Sequence, residues 1–142
     1  MKFSFFIDKN REEEVIVYTH EENELLKEIE SLVIKNSAIW GYTDEERVII
    51  HPSDTECFTV ENNKVYAQTS QGKFRIKERL YQLENKLPDS FIKINKSCIA
   101  NKNKIQKFDV SLSGTLTVVF KSGYRDYVSR RNIRNIKERF GI

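Results

Sequence analysis

Short apolar runs alternate with turn-forming residues between positions 57 and 129, and this spacing constrains the fold more than any other feature of the 142-residue chain. The runs are rich in β-branched and aromatic residues, which is typical of strands. Strands are predicted at residues 57–60, 65–69, 73–76, 107–112, 115–120 and 124–129. The pairs Ser113-Gly114 and Ser122-Gly123 lie between the last three and favour antiparallel hairpins.

Two short helices are predicted among these strands. The first stops at Pro88, because proline ends a helix. Its apolar face consists of Ile76, Leu80, Leu83 and Leu87. The second begins after Ser129, a favoured N-cap residue, and ends at Gly141. Its apolar face consists of Ile133, Ile136 and Phe140.

The first fifty residues predict a small α/β unit. Its strands are predicted at Lys2–Ile7, Val15–Tyr18, Ile39–Tyr42 and Arg47–Ile50. Thr19 and Glu22 have capping-box spacing and predict the start of a helix that ends near Asn36. The apolar face of that helix consists of Leu25, Ile29, Leu32 and Val33. The predicted fold class is therefore α+β, with an N-terminal unit at residues 1–46 and a mostly β domain at residues 47–142.

Charge is distributed unevenly along the chain. Residues 1–56 contain 6 Lys or Arg and 14 Asp or Glu, a net charge of −8, whereas residues 57–142 contain 18 and 7, a net charge of +11. The asymmetry indicates a basic region that faces nucleic acid or a membrane, joined to an acidic one.

Nothing in the sequence indicates an enzyme, a cofactor or a small-molecule substrate. His20 and His51 lack partners at metal-ligand spacing, and no Gly-rich phosphate loop or nucleophile elbow is present. Cys57 and Cys98 lie in apolar runs and are predicted to be buried, reduced thiols. No apolar run is long enough to span a membrane. The expectation is a cytoplasmic protein without membrane insertion.

Residues 91–105 place basic and amide side chains between apolar anchors and contain no acid. The polar side chains are Lys93, Asn95, Lys96, Ser97, Asn101, Lys102, Asn103 and Lys104. Lys can neutralise phosphate, and Asn and Ser can bond to base edges or phosphate oxygens. Arg130 and Arg131 open the last helix, where positive charge opposes the helix dipole unless an anion approaches. An anionic partner explains both features; an ordinary polar surface loop is the alternative.

Three ordered segments resemble the LytTR family of bacterial DNA-binding domains. The central one is Phe91-x-Lys93-Ile94-x-Lys96-Ser97-x-Ile99-x-Asn101-x-x-Lys104-Ile105. Leu80-x-x-Leu83-Glu84-x-x-Leu87 precedes it, and Tyr127-Val128-Ser129-Arg130-Arg131 follows it. The resemblance covers roughly residues 47–142. Response regulators join such a domain to a phosphoacceptor receiver domain, but the N-terminal unit here is far shorter than a receiver. The chain therefore resembles a stand-alone regulator of the family. Lys93 stands where the family commonly has Arg, and Ala100 where Val is common.

The resemblance implies a mostly β domain of several short antiparallel sheets and two short helices. Loops of such a domain enter successive major grooves of duplex DNA and bend it. The implied base contacts are Asn63, Lys64, Lys96 and Arg131. The implied phosphate contacts are Lys93, Asn95, Ser97, Asn101, Lys102, Lys104, Arg130 and Arg134. The family uses repeated sites, so a homodimeric transcriptional regulator is expected, with residues 1–46 in a regulatory or dimerisation role.

Two other functions are compatible with the sequence. A protein-interaction module could dock its basic face on an acidic partner, including the chain's own N-terminal region. Single-stranded RNA binding would instead require exposed aromatic residues on a sheet face. The candidates for that role are Tyr66, Phe74, Tyr124 and Tyr127.

Overall fold

The computed structural model describes residues 2–11, 14–36 and 38–142, and the side chains of residues 34–36 are left out of the description. The chain divides into two compact units, Met1–Ser37 and Ala38–Ile142. The division therefore falls before the predicted boundary at residues 46 and 47. It does so because residues 39–42 form a strand of the second unit's main sheet.

The described residues of the first unit contain one helix, α1 (Glu24–Asn36). Asn23 caps it, since the Asn23 side-chain oxygen accepts a hydrogen bond from the Leu26 N–H at 2.9 Å. The predicted cap at Thr19 is wrong by one turn. The strands predicted at Lys2–Ile7 and Val15–Tyr18 are also wrong, because neither segment pairs with another strand in the described residues.

The second unit contains ten strands in two antiparallel sheets, which confirms the mostly β prediction. The larger sheet has the order β2-β1-β5-β4-β3-β7-β6. Its strands are β1 (Ile39–Tyr42), β2 (Arg47–Ile50), β3 (Thr55–Glu61), β4 (Lys64–Thr69), β5 (Gly72–Ile76), β6 (Phe91–Asn95) and β7 (Cys98–Asn101). The smaller sheet has the order β10-β9-β8. Its strands are β8 (Ile105–Val110), β9 (Leu116–Phe120) and β10 (Arg125–Val128).

Two helices pack on these sheets: α2 (Leu80–Glu84) and α3 (Arg130–Phe140). The predicted first helix is too long, because Ile76 pairs with Gly41 and Val65 inside the sheet and cannot begin a helix. The prediction for α3 is confirmed. Ser129 is its N-cap residue, and Gly141 ends it with a left-handed φ of 67°.

The second unit has two hydrophobic cores on opposite faces of β3, β6 and β7. Phe58 and Ile99 point into the first core, which α2 covers through Leu83. Their strand neighbours Cys57 and Cys98 point into the second core. The smaller sheet and α3 complete that second core with Leu116, Val118, Phe120, Val128 and Ile136. Both cysteines are free and buried, as predicted.

Cys98 titrates far from neutral pH. Its hydrogen bond with Cys57 and its burial raise the pKa of the Cys98 thiol well above the ordinary value. Cys98 is therefore a protonated, apolar packing residue. Among the described helices none is long and apolar enough to cross a membrane.

Two buried threonines of β3 make a matched test of the second unit's packing. The Thr55 hydroxyl donates to the His51 carbonyl oxygen at 2.9 Å, whereas the buried Thr59 hydroxyl has no hydrogen-bond partner among the described residues. Thr59→Val should therefore raise the free energy of unfolding by about 1 kcal/mol, and Thr55→Val should lower it by about 1 kcal/mol. Chemical denaturation of both variants measures the difference. Equal losses would contradict the prediction.

Candidate nucleic-acid interface

Two hairpin turns meet at one end of the larger sheet. Asn62 and Asn63 form the turn between β3 and β4, and Lys96 and Ser97 form the turn between β6 and β7. Because β3 and β7 are antiparallel neighbours, these turns lie side by side. The Val60 N–H donates to the Ser97 carbonyl oxygen at 2.9 Å and joins them directly.

The start of α3 is held against the same end of the sheet. The Ser129 N–H donates to the Ile94 carbonyl oxygen at 2.9 Å, one residue before β6 ends. Arg130 and Arg131 follow immediately. We call the three segments Asn62–Lys64, Lys96–Ser97 and Arg130–Arg131 the loop surface. Its members are separated widely in sequence and are brought together by strand pairing.

The β3–β4 turn has a backbone that only a few residue types adopt easily. Asn62 has a φ of 51° and Asn63 a φ of 63°. Two consecutive residues with positive φ characterise the tight type I′ hairpin turn, which strongly favours Asn and Gly. The turn presents the exposed side chains of Asn63 and Lys64.

The β6–β7 turn is organised by the side chain of Asn95. Its oxygen accepts a hydrogen bond from the Ser97 N–H at 2.8 Å. Its nitrogen donates to the Tyr127 carbonyl oxygen at 2.8 Å and to Asp126 Oδ1 at 3.1 Å. One buried amide thus fixes the turn that carries Lys96 and attaches it to the chain entering α3.

The prediction that Asn95 and Asn101 contact phosphate is therefore wrong. Both are almost fully buried, with 1% and 2% of their surfaces exposed. Asn101 uses the same arrangement at the other end of β7, since its oxygen accepts from the Asn103 N–H and its nitrogen donates to the carbonyl oxygens of Pro52 and Thr55. An Asn side chain directly before a turn commonly accepts a hydrogen bond from the backbone N–H two residues later. The prediction missed this sequence signal at both positions.

The cations of the loop surface are available to an anion. Lys64, Lys96, Arg130 and Arg131 are exposed, and none forms an ion pair with any residue that the structure describes. Arg130 and Arg131 also stand at the positive end of the α3 dipole, where an approaching anion offsets their repulsion.

The other predicted cations lie elsewhere or have partners. Lys93 pairs with Glu84 at 3.5 Å, and Arg134 pairs with Glu138 at 3.2 Å. Lys102 and Lys104 lie in a helical turn after β7, at the opposite end of that strand from Lys96. These four side chains are not part of the loop surface.

Asp109 in β8 and Tyr124 in the turn before β10 have pKa values that neighbouring protein groups shift. The guanidinium of Arg125 donates to Asp109 at 2.6 Å, and this hydrogen bond lowers the pKa of Asp109. Burial, followed by the nearby charge of Asp126, raises the pKa of Tyr124. Arg125 is thus neutralised within the sheet, in contrast to the cations of the loop surface.

A protein-family model for the LytTr DNA-binding domain matches residues 45–141. The chain belongs to this family. The match covers nearly all of the second unit. It begins after β1, so β1 lies outside the matched region.

Relatives and a solved structure extend the similarity. Uncharacterized HTH-type transcriptional regulators of Staphylococcus aureus strains NCTC 8325 and MSSA476 are 39% and 38% identical over 146 residues. In both comparisons the alignment covers 100% of this chain and 99% of the relative. A LytTr DNA-binding domain from Bacillus cereus superposes with a TM-score of 0.69 at 23% identity, covering 74% of this chain and 97% of that one. This likeness establishes the LytTr fold.

The two buried asparagines provide a matched test of how the loop surface is held. Asn95→Ala and Asn101→Ala should each lower the free energy of unfolding by about 2–3 kcal/mol, because each leaves several buried polar groups without partners. Hydrogen exchange should distinguish them. Asn95→Ala should speed exchange at Ser97 and residues 126–131, and Asn101→Ala at Asn103 and residues 52–55. Faster exchange at Ser97 in both variants would contradict a local role for Asn95.

Proposed function

We propose that this LytTr-family protein is a transcriptional regulator that binds specific sites in duplex DNA through its loop surface. The observation that carries the proposal is the convergence of three sequence-distant segments bearing four cations without ion-pair partners among the described residues. Exposed, unpaired Lys and Arg side chains are suited to phosphate and to base edges.

Arg131 is the strongest candidate for a base contact. A guanidinium can donate two parallel hydrogen bonds to guanine O6 and N7, which discriminates between bases. Lys96 has the length for either a guanine or a phosphate. Asn63 and Lys64 would contact a neighbouring part of the groove from the adjacent turn. Ser97 and Arg130 are proposed phosphate contacts, with Lys93, Lys102, Lys104 and Arg134 as more distant ones.

Loops, and not a recognition helix, are proposed to enter the DNA. The relatives are named as HTH-type regulators. In the described part of this chain, however, α2 and α3 are separated by the five strands β6 to β10. A helix-turn-helix motif requires two helices joined by a short turn. The exposed segments at the sheet end are the better candidates for groove contacts.

The alternative functions have weaker support. Phe74 is buried, Tyr66 lies 4.5 Å beneath the Lys73 ammonium, and Tyr124 stacks on Phe120. Only Tyr127 among the four RNA-binding candidates is well exposed, so a stacking platform for single-stranded RNA is not formed. A basic docking face for an acidic protein would use the same cations as DNA, and competition with duplex DNA distinguishes the two.

The first unit is proposed to regulate or dimerise and not to contact DNA. Residues 1–37 contain 5 Lys or Arg and 9 Asp or Glu, a net charge of −4 that would repel phosphate. We expect a cytoplasmic homodimer on repeated sites, which requires no metal, cofactor or phosphorylation to bind.

Salt dependence tests the electrostatic part of the proposal. With six to ten phosphate contacts, the affinity for duplex DNA should fall roughly 10³–10⁵-fold between about 50 and 200 mM salt. Electrophoretic mobility shifts without added metal measure this, with single-stranded DNA and RNA as competitors. Binding that does not change with salt, or that prefers a single-stranded competitor, would refute the proposal.

Base contacts and phosphate contacts should respond differently to mutation. Arg131→Ala should weaken binding to the preferred site by about 1–3 kcal/mol and affect scrambled DNA much less, because it removes a bidentate base contact. Lys137→Ala, further along α3, is the matched control and should weaken both DNAs equally or have no effect. Lys96→Ala should fall between them. The preferred site comes from in vitro selection, and competition binding measures all three variants. Equal losses on both DNAs for Arg131→Ala would show a phosphate contact instead.

A further inference from the structure

The first unit has no core of its own in the residues whose burial is described. Across residues 2–11 and 14–33 no residue is buried, and only Leu26 and Ile29 are half-buried. Chains below about 40 residues usually need a disulfide, a metal or oligomerisation to be stable. Residues 1–37 contain no cysteine, and the described residues contain no cluster of metal-ligating side chains. Of these three sources, oligomerisation is the one that the sequence and the described residues leave open.

The apolar surface that this unit exposes is large. Phe3, Phe5, Phe6 and Tyr18 are exposed by 88%, 72%, 94% and 94%. An aromatic side chain buries roughly 150–250 Å², so these four alone offer on the order of 500–850 Å². Monomers rarely expose patches of more than a few hundred Å², and each partner of a stable complex buries about 800 Å². The exposed area is divided between the two sides of residues 3–6 and Tyr18, and in total it approaches the area that one partner of a complex buries.

The segment of residues 2–8 is complementary to itself. It reads Lys-Phe-Ser-Phe-Phe-Ile-Asp. In an antiparallel pair of identical segments centred on Phe5, Lys2 lies opposite Asp8 of the second copy and Phe3 lies opposite Ile7. Opposite charges and opposite apolar residues both stabilise cross-strand pairs, and a two-fold axis makes every such contact twice.

The segment already has the side-chain arrangement that this pairing needs. The rings of Phe3 and Phe5 lie 6.2 Å apart, which puts alternate residues on one side of an extended backbone. Residues 2–7 pair with no other strand among the described residues, so their backbone groups are free to form a ladder.

We propose that two copies of this chain associate by antiparallel pairing of residues 2–8 about a two-fold axis at Phe5. This interface rests on the homodimer expected under the proposed function. It does not involve the proposed DNA contacts, which lie in the second unit. Other registers of the two segments are disfavoured. Only the register centred on Phe5 places Lys2 opposite Asp8 and Phe3 opposite Ile7 in both halves of the pair.

Charge reversal in the full-length protein tests the register. Lys2→Glu and Asp8→Lys each place like charges opposite one another and should raise the dimer dissociation constant by roughly tenfold. The double variant reverses both pairs and should restore the wild-type value. Leu112→Glu, at an exposed apolar residue in the turn between β8 and β9, is the control and should have no effect. Sedimentation equilibrium without DNA measures the four variants and the wild type.

Disulfide trapping tests the two-fold position. Phe5→Cys should give a covalent, reducible dimer on mild oxidation, because the two thiols face each other. Phe6→Cys should not, since residue 6 lies opposite Ser4 and on the other face. Cys57 and Cys98 are buried and do not compete.

Three results would overturn the proposal. They are a full-length chain that is monomeric at the highest attainable concentration, a double charge variant that is no tighter than the single ones, and equal trapping at positions 5 and 6. A monomer that still binds duplex DNA would refute this interface and leave the proposed DNA-binding function standing. A dimer that passes these tests but binds no DNA would refute the proposed DNA-binding function and leave the interface standing.

Discussion

The hydrogen bonds between the end of β6 and the start of α3 join two of the three segments of the loop surface, Lys96–Ser97 and Arg130–Arg131. The Ser129 N–H bonds to the Ile94 carbonyl, and the neighbouring Asn95 amide bonds to both Tyr127 and Asp126. These bonds attach the edge of the larger sheet to the chain leaving the smaller one. Together with the packing of Ile136 in the second core, they fix the position of Arg131 relative to Lys96. Pre-positioning of contact groups lowers the ordering cost of binding.

The central strands explain why that attachment is rigid. β3, β6 and β7 are covered on both faces, by α2 on one side and by the smaller sheet with α3 on the other. Strands buried on both faces resist slipping in register, because a one-residue shift would exchange Phe58 with Cys57 between two differently shaped cores. The loop surface lies at the ends of these strands, so its geometry follows from the two cores.

Much of this architecture follows from sequence, for identifiable reasons. Strands and turns of the second unit were predictable because apolar alternation and Asn or Gly turns are local signals. Residues 2–7 have the same local signals, but no strand lies beside them among the residues that the structure describes. The sequence of one segment does not show whether it will find a partner strand. The loop surface was predictable in part: Lys96 and Arg131 are exposed as expected, whereas Asn95 and Asn101 are buried. An amide bonds equally well to phosphate or backbone, and only the tertiary neighbours decide which.

The two consecutive positive φ angles at Asn62 and Asn63 limit how this surface can diversify. Residues with branched or bulky side chains are strained in that conformation, so the first turn accepts few replacements. Lys64, Lys96 and Arg131 stand on ordinary backbone and can change freely without disturbing either core. In the proposed DNA-binding role, a change of preferred site would therefore arise by substitution at Lys64, Lys96 or Arg131. Asn62 and Asn63 would keep their residue types.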